Sequence, residues 1–188
     1  VLGLPRDLER IARHVGGLRL RGRVEVEDVE AALAGGRAER ARAVVAQPVV
    51  VEVMASANLD FFVIDMEHSP IDIDLAAHLI RTADAAGITP LVRVPEVNPG
   101  LIKKLLNLGV RGIVIPHATR ETCAAAVQAV QFSPTGMRGS CPAVRQAGYG
   151  APDWQEFTEN ANKEILVIPL LEEKETIDDF EALATMPG

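Results

Sequence analysis

Cysteine is scarce in this chain: Cys123 and Cys141 are the only two among 188 residues. So small a number excludes a disulfide framework, and their spacing fits no metal-ligand motif, so a reducing cytoplasm is the expected setting. Long apolar runs are missing as well. None reaches the ~18 residues that span a bilayer, and the opening LPRDLER meets charge at once, unlike a signal peptide. No membrane partner is expected. Positive charge is in deficit, with 19 Lys and Arg against 26 Asp and Glu, a formal net charge of -7 and a pI near 5.1. That balance argues against a general nucleic-acid binder. Lysine itself is rare: Lys103, Lys104, Lys163 and Lys174 all lie outside the apolar runs, so no Schiff-base lysine is in place for covalent carbonyl chemistry.

What is present is an ordinary soluble composition, 48% hydrophobic and 24% charged, in a length that suits one domain. Residues 1–44 hold nine Arg and seven acids, so the acidic excess belongs to the remainder. Strand-like apolar runs recur at RAVVA (42–46), DFFVID (60–65), PLVRV (90–94), GIVIP (112–116) and ILVIPLL (165–171). Helical segments separate them, and Asn98, Pro99 and Gly109 give one of these a cap, a first position and a left-handed stop. Short β-branched strands, apolar on both faces and alternating with helices, predict an α/β chain with a parallel sheet, doubly wound or a (β/α)8 barrel. The one long loop, FSPTGMRGSCPAVRQAGYGAPD (132–153), suits a flap over an active site or a plain surface excursion.

Ionisable residues gather where these strands end. Asp65, Glu67 and His68 follow the second run, Arg93 lies in the third, His117 follows the fourth, and Glu172 and Glu173 follow the fifth. In α/β barrels that edge carries the catalytic groups. A carboxylate there can hold a hard divalent cation, Arg93 can stabilise charge on an enolate oxygen, and His68 can move a proton with Asp65 orienting it. Glu67 suits a supporting hydrogen-bonding role. Arg138, in the long loop, is a candidate contact for a substrate carboxylate.

The runs VEVMASANLDFFVIDMEHSP, LVRVPEVNPGLIKKLLNLGVRGIVIPHA, FSPTGMRGS and ILVIPLLEEKETIDDFEAL, in this order, resemble the HpcH/HpaI aldolases, class II pyruvate aldolases. The resemblance covers about residues 31–188; residues 1–30 stand as an extension without a counterpart. It implies a TIM-type barrel, seen here through about five strands, and a homo-oligomer, by family habit a hexamer that exchanges its last helix. It also implies a divalent metal (Mg, Mn or Co) and reversible cleavage of a 4-hydroxy-2-oxo acid into pyruvate and an aldehyde. On this resemblance His68 is the base, Asp65 its partner, Arg93 the contact to the keto oxygen and Glu172 the first metal ligand.

Two departures qualify it. Leu170 stands where many members have Gln, so a polar contact to the oxo acid is lost or comes from elsewhere, with His117 a candidate. The chain also stops at ALATMPG, before the G-P-x-D segment that supplies the second metal ligand in the family, and a fragment of a longer protein is the expectation. Two rival readings remain: a citrate lyase/malyl-CoA lyase-like enzyme acting on acyl-CoA esters, and a partial barrel that serves as a non-catalytic interaction module.

Overall fold

A computed structural model describes residues 47–57, 59–150 and 153–188. The expected strand at 42–46 and the N-terminal extension over residues 1–30 lie outside the described residues. Helix α1 (Pro48–Ser56) leads to β1 (Phe61–Asp65), α2 (Ile73–Ala86), β2 (Thr89–Arg93), α3 (Pro99–Leu108), β3 (Gly112–Ile115) and α4 (Arg120–Val130). A 3-10 turn (Arg145–Ala147) and α5 (Trp154–Glu164) precede β4 (Leu166–Pro169), and two short helices follow, α6 (Lys174–Asp178) and α7 (Phe180–Ala184).

Local chemistry sets these boundaries. Asp72, Asn98, Thr119 and Asp153 cap α2, α3, α4 and α5, each accepting a backbone N–H of the first turn. Gly87 and Gly109, both at positive φ, end α2 and α3 and turn the chain into the next strand. The last two helices meet at Asp179, whose carboxylate accepts from the Arg120 guanidinium.

The strands are parallel and lie in the order β1-β2-β3-β4, each beside its neighbour in sequence. Alternation divides their side chains between two faces. Phe62, Ile64, Val92, Ile113 and Ile115 point toward the helical layer and join Leu79, Ile80, Ile102, Leu105 and Leu106 in the core. The other face carries Phe61, Val63, Leu91 and Val114, and at its C-terminal edge Asp65 and Arg93. Gly112 belongs to this second face. A Cβ there would sit 2.9 Å from Leu91 Cδ2 and 3.2 Å from Leu166 Cβ, so neighbouring side chains already fill its place. That is the layered filling of a barrel interior. Replacing Leu105, fully buried between sheet and helices, with Ala is expected to cost ~2–5 kcal/mol of unfolding free energy. Urea denaturation checks it.

The long loop is fastened away from the edge where the strands end. Arg145 donates to the Leu108 carbonyl at 2.9 Å and pairs with Asp84, and Arg138 donates to Asn107. These anchors lie at the C-terminal ends of α2 and α3, which run straight into β2 and β3 and therefore mark the edge where strands begin. Of the two readings, flap or surface excursion, these anchors favour the second, and the loop acts as a brace on the opposite end. It is pinned further by an aromatic cluster in which Phe132 meets Trp154 edge-on at 5.7 Å and Trp154 stacks on Phe157 at 5.2 Å.

Candidate functional site

The parallel register sets Asp65 on β1 directly beside Arg93 on β2. Both point to the inner face at the end of their strands, so the two side chains meet without any loop to arrange them. Arg93 Nε donates to Asp65 Oδ1 at 2.9 Å and Nη2 donates to Oδ2, a two-point fork. Glu67, two residues past the strand, brings Oε2 to 3.1 Å from Arg93 Nη1, off the N–H direction, so this is an ion contact without a hydrogen bond. All three side chains are 10% exposed or less.

Burial pushes the Asp65 carboxyl up, but hydrogen bonds from Arg93 and from the backbone N–H groups of His68 (3.2 Å) and Glu67 (3.1 Å) outweigh it, and its pKa is lowered. The hydrogen bond to Asp65 holds Arg93 above its ordinary value against the opposing pull of burial. Arg93 is therefore a fixed cation facing the barrel interior, with N–H capacity left over for a ligand.

The rest of the group surrounds it. The charge of Glu172 is felt by Arg93, and that of Glu67 by His117. His117 Nδ1 lies 2.9 Å from Glu173 Oε1 and 3.5 Å from Glu172 Oε2, and the hydrogen bond to Glu173 leads the causes that raise its pKa. His117 is held at φ 45°, a left-handed conformation uncommon outside glycine and worth noting beside a rim of charged groups. Beside it the Ala118 carbonyl accepts 2.6 Å from Thr176 Oγ1, a buried bond that ties α6 to the end of β3. Leu170 joins through its backbone, donating to Ile115 at 2.9 Å and accepting from Ala118 at 3.3 Å.

The structure thus gathers Asp65, Glu67, His68, Arg93, His117 and Glu172 at one edge. Two expectations change. Asp65 does not orient the His68 ring: it takes only the backbone N–H of His68, while the ring, 68% exposed, has Glu67 as its nearest acid at 3.6 Å. Arg138 does not join the group either, being buried at the loop brace with Asn107 and Gln146 as partners. Glu173 as the partner of His117 was not legible, since its signal is only an acid beside the expected metal ligand. As for a metal, no group of three or more His, Cys, Asp or Glu side chains among the described residues is arranged to hold an ion. Glu172 offers one carboxylate, and the described residues do not make up a complete site.

Comparisons with known proteins agree on one family. The model of the family described as HpcH/HpaI aldolase/citrate lyase matches residues 43–188. The 2-dehydro-3,6-dideoxy-6-sulfogluconate aldolase of Pseudomonas putida is 32% identical over 138 residues, 73% of this chain and 53% of that protein. Among solved structures, an HpcH/HpaI aldolase/citrate lyase family protein from Burkholderia cenocepacia J2315 superposes with a TM-score of 0.71 at 32% identity, covering 80% of this chain and 64% of that one. Citrate synthase SbnG gives 0.67 at 34% identity, covering 80% and 60%. The chain spans about half the length of the curated relatives it matches.

Proposed function

The chain belongs to the HpcH/HpaI aldolase/citrate lyase family, and from that premise we propose that it serves the reversible aldol cleavage of a 4-hydroxy-2-oxo acid to pyruvate and an aldehyde. The observation that carries this is the Arg93 cation, locked by Asp65 and Glu67 at the strand ends. A cation preorganised in a dry setting stabilises charge as it develops on an enolate oxygen without having to reorient first. Cleavage of the bond between C3 and C4 leaves its electron pair on the pyruvyl fragment as an enolate, while the 4-hydroxyl gives up a proton and becomes the aldehyde carbonyl.

In this proposal Arg93 binds the keto oxygen. His68, with its ring open to solvent beside Glu67, exchanges the proton, and Glu67 links the two. His117 and the backbone around Leu170 face the incoming acid, which loses a side-chain contact at the apolar Leu170. A divalent cation such as Mg, Mn or Co belongs to the proposal, with Glu172 as one ligand and its remaining ligands outside the described residues; as a Lewis acid it would polarise the carbonyl. The proposal also includes a homo-oligomer in the cytoplasm. The cysteines support a reducing setting, Cys123 being buried in α4 and Cys141 exposed in the long loop.

Pyruvate release from a panel of 4-hydroxy-2-oxo acids, with Mg or Mn present, tests the proposal. EDTA is expected to stop release, and Glu172→Ala to lower kcat/KM by about a hundredfold or more, as loss of an interaction worth ~3 kcal/mol would do. No release from any member, with either metal, overturns it. A second reading has the likeness to citrate synthase SbnG in its favour: the same enolate chemistry on an acyl-CoA ester. Turnover of such an ester without turnover of free oxo acids would select it.

A further inference from the structure

One enclosed oxygen at the strand ends lies between two nitrogens and is bonded to neither. Glu67 Oε2 is 3.1 Å from Arg93 Nη1, off the N–H direction, and 3.6 Å from His68 Nε2, just past hydrogen-bond reach. A carboxylate oxygen held without a donor is costly. Its neighbours on the turn do not relieve it. Asp65 keeps both oxygens on Arg93, and Oδ1 also takes the backbone N–H groups of Glu67 and His68, so nothing of Asp65 is left for the imidazole. Those bonds pin the main chain of the turn. Any rearrangement therefore belongs to the side chains of Glu67 and His68, and the His68 ring is 68% exposed, with room to turn.

The guanidinium is open where the oxygen is closed. Nε and Nη2 are taken by Asp65. Nη1 makes no hydrogen bond among the described residues, yet it is not enclosed as Glu67 Oε2, Ser69 Oγ and two Arg138 nitrogens are, so it keeps accessible surface. A ligand oxygen that reaches Nη1 arrives beside Glu67.

We propose that Glu67 is the positioning residue of this site: when an oxygen of the oxo acid takes Arg93 Nη1, Glu67 Oε2 passes to His68 Nε2 and fixes the ring with Nδ1 as the proton acceptor. The proposal rests on the aldolase reading, whose enolate puts negative charge on that oxygen. Two anions at one guanidinium nitrogen repel each other in a dry setting, and a movement of less than about 1 Å brings Oε2 within reach of the imidazole. The ligand thus selects one of two side-chain arrangements through a contact that only one of them permits. The two ring nitrogens then have separate tasks. Nε2–H donates to Glu67. Nδ1 takes the proton of the 4-hydroxyl as the C3–C4 bond breaks; the O–H electron pair becomes the second bond of the aldehyde carbonyl, and the imidazolium formed faces the carboxylate.

NMR of the full chain with Mg present tests this as pyruvate is added, reading the Arg93 Nε–H signal and the ring C–H signals of His68, assigned by their loss in His68→Gln. In the parent, both are expected to shift and to saturate together. Glu67→Gln removes the charge, and Glu67→Asp keeps it on a side chain one carbon shorter. In each, the Arg93 signal is expected still to saturate while the ring response falls about twofold or more. In turnover each is expected to lower kcat by about tenfold and to leave KM within about twofold, as loss of an interaction made after binding does. Still rings in a parent whose Arg93 responds overturn the proposal. So does a ring response of parental size in either variant, or an unchanged kcat in both. No response at Arg93 at any pyruvate concentration overturns the aldolase reading itself, and this proposal with it.

Discussion

Replacing Arg93 with Met is expected to remove ~3–5 kcal/mol of folding stability along with the activity. The two losses have one cause. Asp65 and Glu67 have side chains 9% and 10% exposed, and their shared partner is this guanidinium. Without it two carboxylates remain in a low-dielectric setting with only the backbone N–H groups of Glu67 and His68 to support one of them. The protein can answer by protonating an acid or by letting water in, and either route lowers stability at neutral pH. Arg93→Lys is expected to fall between, since an ammonium keeps the charge but cannot reproduce the fork that spans Oδ1 and Oδ2. Urea unfolding at pH 7 gives the stabilities, and pyruvate release gives the activities. A shift below ~1 kcal/mol for Arg93→Met would mean that the ion group behaves like a solvated surface pair.

The same ion group shows what was legible in the sequence. Four strands and the helices between them could be read because β-branched apolar runs alternate with helical segments, and the cap at Asn98 stands where the chemistry asks for it. The gathering of charged groups at strand ends followed from that reading alone, since parallel strands must finish at one edge. Pairing within the group did not follow. Asp65 and His68, three residues apart, read as a dyad, whereas the cross-strand register places Asp65 beside Arg93, 28 residues away, and the fork outcompetes the local contact. Register is a property of two segments, so neither segment discloses it by itself. The role of the long loop stayed open for a related reason. Its glycines and prolines declare a loop, but which end of the sheet it serves depends on Arg145 and Arg138 finding Asp84, Leu108 and Asn107 on other elements. Arg138 in particular reads as a contact for a substrate carboxylate and is instead buried over Phe132.

Asp65→Asn isolates the electrostatic part of this arrangement, because the side chain keeps its shape and loses its charge. The sign of its pH dependence is fixed by the direction of the shift. The carboxyl pKa is lowered on folding, burial being overcome by the hydrogen bonds from Arg93 and the two backbone N–H groups. The stability it contributes is therefore fully present above its unfolded pKa of about 4, and is lost as pH falls through the lower folded value. Arg93 stays charged across this window and adds no slope of its own. At pH 7 the variant is expected to be ~2–4 kcal/mol less stable than the parent, the cost of leaving a buried guanidinium with one neutral partner and Glu67. The gap should hold from pH 7 to pH 5 and narrow steadily below about pH 4. Urea midpoints across that range measure it directly. A gap that stays constant down to the acid limit would assign the contribution of Asp65 to packing and hydrogen-bond geometry, and would leave Arg93 without the charged anchor that its proposed part in catalysis requires.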